Sequence, residues 1–133
     1  MTEKRVCVLV VEDQVLVRAD IVNYLSEAGF FVLEAACGDD AIALVDSGLV
    51  VDVLFTDVGL GNGSDGWDVG ERLRARLPAL AVIYASGNFG SERRPVAGSV
   101  LLDKPCLPDE VVNLCHTMPN GGPESGLPDR AFA

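Results

Sequence analysis

Residues 6–13 read Val6-Cys7-Val8-Leu9-Val10-Val11-Glu12-Asp13. Six apolar residues in a row show neither a helical period nor a polar alternation. A β-branched run of this kind, closed by charge, predicts a parallel strand buried on both faces with two carboxylates at its C-terminal end. Similar runs recur outward from it at Phe30–Ala35, Val51–Asp57, Leu80–Ala85 and Ser99–Asp103. The stretches between them are amphipathic. Residues 14–28 put Val17, Ile21, Leu25 and Ala28 on one helical face, and Gly29 ends the pattern. Residues 39–47 predict a short helix carrying Ala41, Ile42 and Val45 inward, closed by Gly48. Residues 67–76 do the same with Trp67, Val69 and Leu73, then Leu77, and Pro78 sits just past the end. In a last helix over 108–117, Pro108 takes the first position, where its missing N–H is harmless, and Asp109 and Glu110 complement the positive helix end. Residues 87–98 contain Gly87, Gly90, Pro95 and Gly98, so any helix there is expected to be short.

Five strands separated by helical segments predict an α/β fold of the (βα)5 type, a doubly wound parallel sheet with helices on both faces. The chain of 133 residues suits one domain, expected over 1–118. From Pro119 on, proline and glycine replace the apolar period, which predicts a disordered tail over 119–133. Apolar residues make up 49% and charged residues 23%, a globular composition. Ten Lys+Arg against 20 Asp+Glu leave a formal charge of −10, which argues against a nucleic-acid partner. The longest wholly apolar run, Ala79–Ala85, is far below the ~18 residues of a membrane span. Lys4-Arg5 followed by Val6–Val11 resembles the start of a signal peptide, but the run is too short and leads into Glu12-Asp13. A cytoplasmic location is expected. Cys7, Cys37, Cys106 and Cys115 form no C-x-x-C pair, so reduced, mostly buried thiols are expected in place of a zinc or disulfide framework.

In an open parallel sheet, ligands bind outside the carboxyl ends of the strands. The polar residues falling there are Glu12 and Asp13 after the first strand, Asp57 after the third, Ser86 after the fourth and Lys104-Pro105 after the fifth. Two unit charges about 4 Å apart interact by about 4 kcal/mol at an effective dielectric of about 20. Three carboxylates therefore share that edge only if some protonate or a cation enters. Oxygen ligands of this kind suit Mg2+ completed by water and a phosphate. Lys104 is placed as a point charge for a phosphoryl oxygen.

Taken together, Glu12-Asp13, Asp57, Ser86 and Lys104-Pro105 resemble the receiver domain of two-component response regulators, over about residues 4–117. The resemblance implies a flavodoxin-like sheet of strand order 2-1-3-4-5. It implies that Asp57 is the phosphoacceptor, attacking the phosphohistidine of a histidine kinase or phosphotransfer protein, or a small acyl phosphate. Asp13 and Asp57 would ligate Mg2+, Glu12 would act through water, and the Gly59 carbonyl would add a ligand. Ser86 and Lys104 would each hold a phosphoryl oxygen, with a cis bond before Pro105. Helix 1 and Cys106-Leu107-Pro108 would meet the kinase. Such a protein is a signalling phosphoacceptor that passes information to a downstream protein target and not a conventional enzyme. With no output domain following, a stand-alone receiver is expected.

Some positions depart from the family pattern. Leu101 stands where many receivers carry Tyr or Phe, so Tyr84 or Phe89 is the candidate to replace that aromatic readout. The segment between Ser86 and Lys104 is shorter than in typical members, which implies a shortened fourth helix. The loop after Asp57 lacks the common proline and is rich in glycine.

Blander readings compete with each of these. Gly61–Gly66 matches G-x-G-x-x-G but follows the third strand and lacks the acidic residue about 20 positions on, so a flexible loop is the better reading. Glu12-Asp13 alone reads as a helix N-cap, His116 as a surface or half-buried side chain, and Trp67 as packing. Two rival functions stay open. A pseudo-receiver would work as a contact module without phosphorylation. A phosphohydrolase would need a second acid where Gly59 stands.

Overall fold

The computed structural model describes residues 5–120. Among the described residues, five strands and four helices follow in the order β1 (Cys7–Val11), α1 (Val15–Glu27), β2 (Phe31–Ala35), α2 (Gly38–Asp46), β3 (Val53–Asp57), α3 (Gly66–Arg76), β4 (Ala81–Ser86), β5 (Val100–Asp103) and α4 (Pro108–Asn120). The sheet is parallel throughout, in the order β2-β1-β3-β4-β5, as the resemblance implies.

Burial explains why the strand runs are continuous. Val8, Leu9, Val10 and Val11 are all inaccessible, because alternate residues point into two different cores. Leu9, Val11, Leu54, Val82 and Tyr84 pack on one face with Ala41, Ile42 and Val45 of α2 and Trp67, Val69 and Leu73 of α3. Val8, Val10, Phe55 and Ile83 pack on the other with Ile21 and Leu25 of α1 and Val111 and Cys115 of α4. Each such Val, Leu, Ile or Phe side chain stabilises the fold by about 1.5–3 kcal/mol. The α1 stripe is narrower than its period suggests. Ile21 and Leu25 are buried, whereas Val17 is 37% exposed. The four cysteines are free, and Cys115 alone is buried; burial pushes its thiol up to about 12.

The crossover between β4 and β5 corrects one expectation. The shortened helix expected there is absent: residues 87–99 carry no helix. Gly90 and Gly98 sit at φ +71° and +75°, left-handed values that interrupt a helix, and Pro95 lacks the N–H a helix interior needs. The segment is held by its side chains instead. Phe89 and Val96 pack against the α3-side core, and the Val96 N–H donates to the Tyr84 hydroxyl at 3.2 Å. At the other end of the chain, α4 continues through Pro119 to Asn120. The tail expected over 119–133 lies, from residue 121 on, outside the described residues. Among those described, no helix is long and apolar enough to cross a membrane.

Tyr84 sets a packing test. It is fully buried, its ring lies 4.6 Å from that of Trp67, and a Cβ on Gly70 of α3 would strike its hydroxyl and come 2.9 Å from its Cζ. Alanine favours helix over glycine by about 1 kcal/mol, but overpacking costs typically about 1–3 kcal/mol. Gly70→Ala is therefore expected to destabilise the domain by up to about 2 kcal/mol in urea melts. A stabilised variant would mean that the Tyr84 ring has room to move.

Candidate functional site

Parallel strands that start level finish level, so their C-terminal ends bring distant residues to one edge. Asp57 ends β3 and Ser86 ends β4, while Glu12 and Lys104 each follow directly on a strand, β1 and β5. Asp57 pairs in register with Ala85, and Ser86 with Asp103, which places Ser86 one strand over from Asp57 and next to Lys104.

Hydrogen bonds join three of these groups. The Lys104 Nζ donates to Glu12 Oε1 at 2.9 Å and lies 3.4 Å from Asp57 Oδ2. Glu12 is 1% exposed, an unusual place for a carboxylate, and its second oxygen accepts the Gln14 N–H at 3.0 Å. Asp13 completes the acidic group: one carboxylate oxygen from each of Glu12, Asp13 and Asp57 lies within 4.8 Å of the others. Asp13 is exposed, the other two are buried. Ser86 is tied to its surroundings by different bonds. Its hydroxyl accepts the Asn88 N–H at 3.1 Å and its carbonyl accepts the Lys104 N–H at 2.9 Å. The Lys104–Pro105 peptide is cis. Gly59 is exposed, and its backbone favours the charged form of the Asp57 carboxyl.

The electrostatics follow from this crowding. Burial raises the Asp57 carboxyl above its ordinary value, and the Glu12 charge adds to the rise; Lys104 and the Gly59 backbone oppose it without cancelling it. For Lys104, burial pulls downward, but the hydrogen bond to Glu12 and the charges of Asp57 and Glu12 win, and its ammonium is held above its ordinary value. One ammonium thus pairs with two carboxylates in a group of three. The all-oxygen donor set, two members buried and one open to solvent, fits a hard divalent cation such as Mg2+.

Several supports were not legible in sequence. Arg18 Nη1 donates to the Glu12 carbonyl at 2.8 Å while its Nε pairs with Glu34, tying the site's base to α1 and β2. Thr56, fully buried, donates its hydroxyl to the Asp57 carbonyl at 2.9 Å. No spacing rule singles out either residue. The capping reading of Asp13 does not hold, since the N-cap of α1 is Gln14, without a side-chain cap. The side chain that does cap a nearby helix is Asp65, through a reciprocal box with Asp68 at the start of α3. The Gly61–Gly66 loop accordingly delivers a carboxylate to that helix end, where a dinucleotide loop would leave it open for phosphate. His116 is exposed on α4 and packs 4.6 Å from the Phe30 ring, remote in the chain from the strand ends. Trp67 is buried against Tyr84 and Phe89.

Two stability changes are expected in chelator. Asp57→Asn removes one crowded charge and should raise Tm by roughly 4 °C, as about 1 kcal/mol does in a domain of this size. Because the Asp57 pKa is raised on folding, its ionisation costs stability as pH rises through that value. The advantage of Asp57→Asn should therefore shrink in acid, where Asp57 is itself neutral. Lys104→Met leaves Glu12 buried without its cation and should cost about 2 kcal/mol, at or below the low end for a buried pair because Lys104 is partly exposed. Thermal melts across pH decide both. A lower Tm for Asp57→Asn at neutral pH would contradict the crowding.

The response regulator receiver domain family matches residues 8–114. In structure the chain is similar to a response regulator receiver protein from Sinorhizobium medicae, with TM-score 0.82 and 27% identity over 88% of this chain and 96% of that one. A receiver domain protein from Methanospirillum hungatei shares the fold with TM-score 0.80 at 19% identity, over 92% and 100% of the two chains. Over 85 residues the chain is 37% identical to a cyclic di-GMP phosphodiesterase from Thermotoga maritima, which covers 64% of this chain but 22% of that protein, so this chain spans about a fifth of its length. Receiver domains bind Mg2+, typically serve two-component signalling as phosphoacceptor modules in place of classical enzymes, and imply a kinase partner. With the match running from β1 into α4 and the acidic group and lysine at the strand ends, this chain belongs to the response regulator receiver domain family.

Proposed function

We propose that this domain accepts a phosphoryl group on Asp57 from the phosphohistidine of a histidine kinase or phosphotransfer protein in the cytoplasm, and signals by contact with a downstream protein. The observation that carries this reading is the environment of Asp57. Its carboxylate is buried at a strand end, 3.4 Å from the Lys104 ammonium, with two further carboxylates within metal-binding reach.

The step forms a bond from an Asp57 carboxylate oxygen to phosphorus, in line with the phosphorus–nitrogen bond that breaks. The departing electron pair stays on the donor imidazole, which is left neutral or takes up a proton. A nucleophilic carboxylate has to be ionised, and Lys104 and the Gly59 backbone both favour that form. Asp13 and Asp57 would hold Mg2+, with Glu12 through water and the Gly59 carbonyl as a further ligand, and the ion would supply charge neutralisation at the phosphoryl oxygens. Lys104 takes one of those oxygens with a proton donor it can turn from Glu12. Ser86 takes another. Its hydroxyl uses a lone pair on the Asn88 N–H, so its own O–H stays available to donate. The chemistry is then mostly positioning and charge stabilisation.

The geometry also favours Phe89 over Tyr84 as the ring that reports phosphorylation. Tyr84 is locked by burial, by Trp67 and Gly70, and by its bond to Val96. Phe89 is partly buried, lies just after the Asn88 that Ser86 holds, and sits 6.1 Å from the Trp67 ring.

Intact mass after incubation with Mg2+ and a small acyl phosphate tests the first part. One added phosphoryl group in the wild type and none in Asp57→Asn is expected. A folded wild type that gains nothing from this donor or from phosphorylated histidine kinases would favour the pseudo-receiver. Trp67 emission tests the second part: phosphorylation should shift it in the wild type and leave it unmoved in Phe89→Leu. An equal shift in both would remove Phe89 from the role.

A further inference from the structure

We infer that Asp39 is a positioning residue for the Asp57 site: by gripping Ser64 it sets the glycine-rich loop that runs beside two of the site's carboxylates. This inference rests on the phosphoacceptor reading of Asp57. The loop runs from Val58 to Gly66, between β3 and α3. Ordering backbone costs about 1–2 kcal/mol per residue, and most for glycine. Gly61 and Gly63 stand at φ +73° and +85°, which glycine adopts freely, so the loop conformation has to be imposed from outside.

Its two ends are anchored locally. The Gly66 N–H donates to the Val58 carbonyl at 2.8 Å, and a Cβ at Gly66 would strike the Asp57 carbonyl, so the neck closes directly behind the site. Asp65 is held by its capping box, its Oδ1 accepting the Asp68 N–H at 2.8 Å and its own N–H donating to Asp68 Oδ2 at 3.0 Å. The tip is held from afar. Asp39, at the start of α2 and 25 positions earlier in the chain, accepts the Ser64 hydroxyl at 2.8 Å and the Ser64 N–H at 3.4 Å on the same oxygen, Oδ1. The fit leaves no slack. A Cβ at Gly63 would lie 2.7 Å from Asp39 Oδ2, and a Cβ at Gly38 would strike the Ser64 carbonyl.

The near side of the same loop meets the site. The Gly59 backbone favours the charged Asp57 carboxylate, and a Cβ at Gly61 would come 3.7 Å from Asp13 Oδ2. A loop freed at Ser64 therefore loosens the backbone beside Asp57 and Asp13. Misplacement of reacting groups by about 1 Å can cost on the order of 100-fold in rate. A plainer role for Asp39 is to place negative charge at the N-terminus of α2. The two roles separate chemically. Asparagine keeps the oxygen that Ser64 needs and loses the charge that the helix end favours.

The test compares wild type with Asp39→Ala, Ser64→Ala and Asp39→Asn. Amide hydrogen exchange of residues 59–64 is followed in metal-free protein, and phosphoryl addition from a small acyl phosphate is timed with Mg2+. Asp39→Ala and Ser64→Ala should each exchange faster in the loop and add the phosphoryl group about tenfold more slowly, while Asp39→Asn stays within about twofold of wild type. Unchanged loop exchange in both alanine variants, or faster exchange with an unchanged rate, would overturn the inference. So would an Asp39→Asn as impaired as Asp39→Ala, which would assign the residue to the helix end. If the wild type takes no phosphoryl group, the reading of Asp57 fails by itself. Mg2+ affinity then decides the clamp, about tenfold weakening in Asp39→Ala supporting it and equal affinity overturning it.

Discussion

One ammonium shared between two carboxylates of a group of three is the constraint on which the rest of this structure depends. Glu12 is almost inaccessible, and a buried carboxylate persists as a charge only when paired and hydrogen-bonded. Lys104 and the Gln14 N–H meet that demand at 2.9 and 3.0 Å. Asp57 gets what remains of the same ammonium, and Asp13 has solvent. The pocket is thus left with negative charge at the place where a metal ion and a phosphoryl group would need it balanced. The sheet serves this arrangement. Its parallel strands carry charges separated by 92 positions in sequence to one edge, and its two apolar cores hold the strands rigid behind them.

The surroundings of the site are held by long-range ties more than by regular structure. The crossover after β4 has no helix, yet it is attached to α3 at several points. Arg94 reaches Asp65, Asp68 and Glu71, with its shortest contact 2.6 Å to Asp68. Arg74 donates to the carbonyls of Leu80 and Ala97. Exposed ion pairs of the Arg94 kind contribute little one by one. The buried Tyr84 hydroxyl on the Val96 N–H, and Phe89 against the core, carry more of the attachment. Asp68 is held below the ordinary carboxylate value first by the Asp65 N–H and then by Arg94, so the cap of α3 and the crossover share one carboxylate.

Much of this was legible in sequence, for physical reasons that differ by element. Valine-rich runs such as Val8–Val11 read as strands because both faces are buried, and the polar residues that end four of the five runs mark the binding edge. Those four ends were enough to suggest the family. The crossover was half legible: Gly90, Pro95 and Gly98 argued for a short helix, and their combined cost left none. The Asp39–Ser64 bond was not legible, because a hydrogen bond across 25 positions leaves no local period. Val17 was misplaced for a related reason: period alone does not say where a helix leaves the core.

The most direct test of the charge imbalance is calorimetric titration of Mg2+ into metal-free protein, with Asp13→Asn alongside and Asp20→Asn, on an exposed turn of α1, as control. One ion per chain is expected in the wild type and the control, bound at least about tenfold more weakly in Asp13→Asn. Equal affinity in Asp13→Asn, or no binding to the folded wild type, would contradict a pocket in which these carboxylates await a cation.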